Sequence, residues 1–247
     1  MVRDFPAGNY RFIPSVFQYS GGAAAEPGYE VERVHFHAPV PLAEGFARIE
    51  KYITEASRPL TAFCACELRS PKPFTEDGFR NFNLHYVETL RTWGLFDGTT
   101  NPVARSNVCP EIAPPAEPSF HAFSFTRPAT TRMKTFVIAG GAEAKEGGAS
   151  YRERIVAYGD VSIEGMRQKA RHTIGEMERR LAAFGFTWND ATAVQLYTVQ
   201  NFHPFMAEEI VARGAARNGL TWHFNRPPVV GLEFEMDVRG VARELVI

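Results

Sequence analysis

The run Asn101-Pro-Val-Ala-Arg105-Ser-Asn-Val-Cys-Pro110 sets one arginine, followed by small polar residues, at the start of a short β-like segment. A guanidinium there can grip a carboxylate through two parallel charge-assisted hydrogen bonds, or it can be an ordinary surface arginine in a turn. His35 and His37 alternate onto one face of a strand, a spacing that also suits a metal, but no third ligand is evident. Cys64 and Cys66 lie two apart in an apolar run, so on a strand they share one face, and packing explains them better than metal does. With Cys109 they form an odd, sparse set that makes no disulfide framework. These residues give no expectation of a metal.

The elements that must position these residues can be read from periodicity. Phe12 to Tyr19 ends in Ser20-Gly21-Gly22 and reads as a strand running into a tight turn, and Val31 to Ala38 follows as a second strand. Leu42, Phe46, Ile49 and Ile53 mark one face of an amphipathic helix. Then come a strand over Thr61 to Leu68, a helix over Glu76 to Trp93, and strands over Ala104 to Cys109 and Phe120 to Thr126. The same order starts again at Thr135 to Ala139, which runs into Gly140-Gly141. Arg154 to Tyr158 reads as a short strand, and Met166, Ala170, Ile174, Met177, Leu181 and Phe184 trace a long helix stopped at Gly185. Ala193 to Val199 is expected as a strand, Phe205 to Arg217 as a helix, and Thr221 to Phe224 and Leu232 to Val238 as strands. Ser20-Gly-Gly-Ala echoes Ala139-Gly-Gly-Ala, and an internal duplication explains the recurrence better than chance. The boundary is placed near residue 130, giving units 1–130 and 131–247.

The bulk properties exclude several partners. A net charge of −1 leaves no electrostatic footprint for nucleic acid or an anionic membrane surface. The longest apolar runs fall far short of the ~20 residues that cross a bilayer, and the N-terminus has no signal-type apolar core, so a cytoplasmic location is expected.

Four motifs of the first half resemble the Rid (reactive intermediate deaminase) family: the strand ending Ser20-Gly21-Gly22, the helix and strand from Phe46 to Leu68, the helix stretch Phe79-Arg-Asn-Phe-Asn83-Leu-His-Tyr86, and Ala104-Arg105-Ser106. Met177 to Val199, Arg226-Pro-Pro and Leu232-Glu-Phe-Glu-Met carry the resemblance through the second half. The duplicated form, with Cys64-Ala-Cys66-Glu67 and Asn107-Val-Cys-Pro-Glu111, is most similar to the 2-aminomuconate deaminases of nitroaromatic degradation, including those acting on the 5-chloro compound. The resemblance implies an α+β chain of two tandem RidA-like (chorismate-mutase-like, β-β-α-β-α-β-β) domains, each a sheet with two helices on one face. The helix-free face is read as rich in Phe and Tyr and in need of a partner. A homotrimer of chains, a pseudo-hexamer of domains, would supply it.

The resemblance also implies hydrolytic deamination of an enamine or imine on a small dicarboxylate substrate, with neither a metal nor an organic cofactor required, since the imine supplies its own electron sink. Arg105 matches the family arginine that holds the substrate carboxylate. The second half has Asn218-Gly219-Leu220 at the corresponding place, so its site is expected to be degenerate. Asn83 matches the family's Asn-x-x-Tyr helix pattern and can orient substrate or water, or be a solvated or capping residue. Ser20 and Gly21 match a turn lining the family cleft, and Asn107 and Cys109 follow Arg105 in the same segment. At the acid/base position, alignment by strand alternation gives His121 in the first half and Glu233 in the second. Either could activate water or protonate a leaving amine, and His121 could equally be an ordinary strand histidine. Two alternatives stay open: a broad 2-imino acid hydrolase, and a non-catalytic binder of small carboxylates.

Overall fold

The computed structural model describes residues 1–145, 147 and 150–247. The chain opens with three short strands, β1 (Arg3–Phe5), β2 (Tyr10–Phe12) and β3 (Gly22–Ala25). The first full pass then runs β4 (Tyr29–Pro41), α1 (Leu42–Glu55), β5 (Phe63–Arg69), α2 (Glu76–Thr92), β6 (Ala104–Pro110) and β7 (Ser119–Pro128). The second runs β8 (Phe136–Ala142), the one-turn α3 (Tyr151–Arg154), α4 (Ile163–Phe184), β9 (Ala193–Tyr197), α5 (His203–Met206), β10 (Thr221–His223), β11 (Asn225–Arg226) and β12 (Glu235–Gly240). A last strand, β13 (Arg243–Val246), ends the chain.

The architecture is α+β with two mixed sheets. One has the order β1-β2-β3-β8-β12-β9-β10, the other β11-β6-β5-β7-β4-β13. Within them β4-β7-β5-β6 and β8-β12-β9-β10 repeat one pattern of two antiparallel pairings followed by one parallel pairing. The ends of the chain are exchanged between the sheets. The amino-terminal β3 pairs with β8 of the second pass, and the carboxy-terminal β13 pairs with β4 of the first.

Helices cover the outer face of each sheet. Phe46, Ile49 and Ile53 of α1 and Tyr86, Val87 and Leu90 of α2 pack with Phe120, Phe123 and Phe125 in one core. Ala170, Ile174, Met177 and Leu181 of α4 pack with Met236 and Val238 in the other. The helix boundaries have local causes: the Thr75 and Ser162 hydroxyls accept the amides of Gly78 and Gly165, and Gly185 ends α4 at φ 81°.

The helix-free faces look at one another. The phenylalanines of β7 lie under the helices, so the expected Phe- and Tyr-rich face is instead a mixed buried layer, in which apolar clusters around Tyr10, Phe12, Val31 and Cys64 and around Ala65, Ala104 and Ala139 sit beside charged side chains. Arg33 forks onto Glu67 at 2.6 and 3.0 Å, and Asp237 accepts from Ser106, Gln195 and Tyr197 at 2.7, 2.9 and 2.8 Å. Ser106 lies on one sheet and Asp237 on the other, so this bond joins them.

Four local expectations change. Residues 13–21 form a loop between β2 and β3 instead of a strand from Phe12 to Tyr19, because Ser20 and Gly21 are held by backbone bonds to Val103 and Ile13. Tyr151–Arg154 is a helical turn closed by the Ser150–Glu153 capping box, not the start of a strand; Ile155 makes only a bridge to Ala144. The expected helix over 205–217 is α5 followed by a π-helical stretch, Ala207–Val211, and then turns. Finally, β5 changes register between Phe63 and Ala65, a bulge that separates the two cysteines. Cys64 joins Tyr10, Phe12 and Val31, while Cys66 meets the Tyr86 hydroxyl under α2 at 3.2 Å. No described helix is long and apolar enough to cross a membrane.

Candidate active site

A cavity of about 520 Å³ opens where the two sheets meet. Its walls come from both passes of the chain: the loop 14–19, the start of α2 and β6 on one side, and β8, α3, α4 and β12 on the other.

Arg105 and Asn107 stand on its first wall, two apart on β6 as strand alternation requires. The Arg105 side chain is buried, and its guanidinium is surrounded by rings. Its Cζ lies 4.7 Å from the centroid of Tyr86, 5.1 Å from Tyr19, and 5.7 Å from both Phe79 and Phe82. Such rings favour a cation but offer no acceptor in the plane of the fork. Both Nη atoms indeed lack a hydrogen-bond partner among the described residues. Buried donors are normally paired, so this fork can take an acceptor from outside the chain. Asn107 is half engaged: its Oδ1 accepts from Ser70 Oγ at 2.9 Å, and its Nδ2 has no partner.

Glu235 faces this wall from the second sheet. It begins β12, where Glu235, Asp237 and Arg239 alternate onto the inter-sheet face. A Cβ on Gly140 would collide with Glu235 Oε1 and lie 3.0 Å from Ser106 Cα, so the glycine makes room for the carboxyl between the sheets. Burial, reinforced by Asp237 and Glu143, pushes the Glu235 carboxyl well above the usual carboxylate range. Its acid form is therefore favoured. A second, wholly buried pair sets its backbone. Glu143 accepts Lys169 Nζ at 3.3 Å and the amides of Glu233 and Phe234 at 2.7 and 3.1 Å, immediately before Glu235.

The other residues singled out from sequence lie elsewhere. Glu233 precedes β12 and accepts from Gln200 Nε2 at 2.9 Å, outside the cavity wall. His121 sits in the inter-sheet layer, 3.3 Å from His35 and 4.0 Å from Glu67. Burial, with Arg69 nearby, lowers its imidazolium pKa to about 2, so it is a neutral ring packed among charges. Ser20 and Gly21 anchor the cavity loop from behind: Ser20 Oγ donates to Pro102 O at 2.9 Å, and Gly21 packs on Ile13. Cys109 is buried behind the wall, its thiol pushed up to about 12 by burial. Asn83 is fully buried on α2 between Phe79 and Tyr86, and neither amide atom has a partner. Among the described residues no three His, Cys, Asp or Glu side chains gather as a metal would require.

Glu235, Tyr19 and Arg180 were not legible as site residues. Glu235 has the same strand parity as Glu233, so alternation alone does not separate them. Arg180 reads as one more polar residue of an amphipathic helix. Arg226, from the Arg-Pro-Pro run, lies outside the cavity and forks onto Glu111 at 2.7 and 3.2 Å on an exposed edge. Exposed pairs contribute at most about 1 kcal/mol. Arg226→Ala is thus expected to keep catalytic activity within about twofold of wild type and to shift chemical denaturation by no more than that amount; a larger loss of activity would place Arg226 in the site.

Comparison with known proteins adds three findings. A family model described as 2-aminomuconate deaminase CnbZ matches residues 2–245. The chain is 53% identical over 245 residues to a 2-amino-5-chloromuconate deaminase of Comamonas testosteroni, spanning 98% of each protein. Among solved structures, a cyanuric acid hydrolase from A. caulinodans aligns with a TM-score of 0.41 at 13% identity, over 88% of this chain and 68% of that one, a likeness too remote to carry an argument.

Proposed function

The chain belongs to the 2-aminomuconate deaminase CnbZ family, and we propose that its inter-sheet cavity hydrolyses the imine tautomer of 2-aminomuconate, or of its 5-chloro analogue, to ammonia and a 2-oxo-hexenedioate. The protein is a hydrolase of a carbon–nitrogen bond. The observation that carries the site assignment is the buried Arg105 fork without an acceptor, facing a carboxyl whose acid form is favoured.

The cycle needs only these groups and water. Arg105, with Asn107 Nδ2 beside it, holds the C1 carboxylate and draws electron density from C2. Glu235 gives its proton to a carbon of the dienamine, which leaves an iminium at C2 and a carboxylate on the enzyme. The carboxylate takes a proton from water as the water oxygen bonds to C2. That proton then passes to the amine of the carbinolamine. As the C–N bond breaks and the C2 carbonyl forms, the hydroxyl proton returns to Glu235, restoring its acid form. The substrate is its own electron sink.

The repeated strand order supports reading the chain as two tandem RidA-like units, 1–130 and 131–247, with one competent site that draws on both. A trimer of chains belongs to the same reading. Exposed Trp222, Phe224 and Val230 near the β10 and β11 edges supply apolar surface for it.

The test is ammonia release from freshly generated 2-aminomuconate, followed beside 2-iminobutanoate. Release from 2-aminomuconate well above the spontaneous rate is expected. Release from 2-iminobutanoate alone would favour a general imino acid hydrolase, and release from neither would leave only a carboxylate binder.

A further inference from the structure

The cavity wall carries cations besides Arg105. Among the described residues five basic side chains line it, Arg80, Arg105, Lys145, Arg154 and Arg180, beside three acidic ones, of which burial pushes Glu235 toward its acid form. A second acid, Glu176, is held below the usual carboxylate range first by Arg179, with which it pairs at 2.7 Å, and then by Arg180, whose Nε lies 4.0 Å from it.

Two of these cations, Arg180 and Arg154, stand on the wall opposite Arg105. Arg180 reaches from α4 over β8, its Nη1 donating to Ala139 O at 3.0 Å and Gly140 O at 3.4 Å. The β8 residues beneath it are Gly140 and Gly141, and a Cβ on Gly141 would sit 3.2 Å from Arg180 Nη1. The two glycines thus leave a bare strip of backbone between the Arg105 wall and Arg180, with Glu235 beside it. Arg154 adds a second cation at that end, stacked 4.3 Å from the Tyr151 ring centroid. Tyr19 feels Arg105, Arg180, Glu235 and Arg154 together, which places all four around one space.

We propose that Arg180, with Arg154 behind it, receives the distal carboxylate of a dicarboxylate whose first carboxylate is held by Arg105, and so selects dianions over monoanions. The inference rests on the deaminase reading for the substrate's chemistry, but not on turnover for its test. A dianion laid across the glycine strip would have its C2 end at Arg105 and its middle carbons beside Glu235, where the proton is needed. A monoanion would be held at one end only and would be free to swing away from that acid.

The experiment is calorimetric titration with two unreactive six-carbon dienes, muconate, which has a carboxylate at each end, and sorbate, which lacks the second. Wild-type protein is expected to bind muconate about 10- to 100-fold more tightly than sorbate, the range of one added charge-assisted contact. R180Q should lose most of that preference while keeping its sorbate affinity, and R180K should keep part of it. Equal affinity for the two ligands in wild type overturns the proposal without any variant, as does an undiminished preference in folded R180Q or an equal loss for both ligands. Preference for muconate without any deamination would overturn the proposed function and leave this inference standing. Deamination with equal affinities would do the reverse.

Discussion

Arg105→Met is expected to abolish turnover while leaving the fold intact. The guanidinium is buried in a box of four rings with both Nη atoms unmatched, so in the free protein it makes little that a methionine of similar length would lose. Unmet donors cost the native state about 1–3 kcal/mol, which the cation–ring contacts offset in part. The variant should therefore unfold no earlier than wild type on heating. In the complex the balance reverses, because the carboxylate completes the fork and its negative charge is matched in a site poor in water. Loss of a preorganised group of this kind removes about 3–4 kcal/mol of transition-state stabilisation, or ~10³ in kcat/KM. Arg105→Lys should recover only part of this, since an ammonium offers a point charge where the carboxylate presents two parallel acceptors. Stopped-flow measurement of substrate loss, with circular dichroism to show folding, reads both effects. A folded Arg105→Met protein with full activity would falsify the site assignment.

Much of what positions Arg105 can be read in the sequence. The spacing of Phe46, Ile49 and Ile53, and of Phe79, Tyr86 and Leu90, predicts α1 and α2, and those residues are buried as the spacing demands. The helix through Met166 to Phe184 and its stop at Gly185 are equally local. These features depend on one face of one element, and a short window contains them. The proposed acid, Glu235, is not legible in this way. Glu233 and Glu235 share a parity, and the choice between them depends on Glu143, some ninety residues earlier, taking the amides of Glu233 and Phe234 and letting β12 begin at Glu235. The exchange of β3 and β13 between the sheets is hidden for the same reason. Gly22-Ala-Ala-Ala has no pattern of its own, and only the small surface it offers beside β8 gives it a place. His121 shows the opposite case, a residue with suggestive chemistry whose surroundings hold it neutral in a packed layer.

The Glu235→Gln variant separates acid–base work from binding, and its effect should run in opposite directions for activity and stability. Burial beside Asp237 and Glu143 raises the folded-state pKa of Glu235 well above its ordinary value, so the native chain binds this proton more tightly than the unfolded chain does. The sign follows: native stability contributed by Glu235 is fully present below the unfolded-chain pKa and is lost as pH rises from there through the folded-state value. Glutamine cannot ionise, so the variant escapes that loss, and the stability difference in its favour should widen with pH across this window. Taking the difference between variant and wild type cancels the slopes of groups that do not interact with Glu235, while Asp237 and Glu143, which do, contribute to it through the same coupling. Activity should move the other way. Glutamine can still hydrogen-bond a substrate but cannot start the cycle with a proton or accept one from water, which costs about 10²–10⁴ in kcat. Wild-type kcat/KM should fall at high pH as Glu235 loses its proton, and the residual rate of the variant should lack that alkaline limb. Muconate binding, which needs no proton transfer, should survive within a few fold. If Glu235→Gln instead retains the wild-type alkaline limb, the proton comes from another group, and Glu235 serves only to shape the cavity.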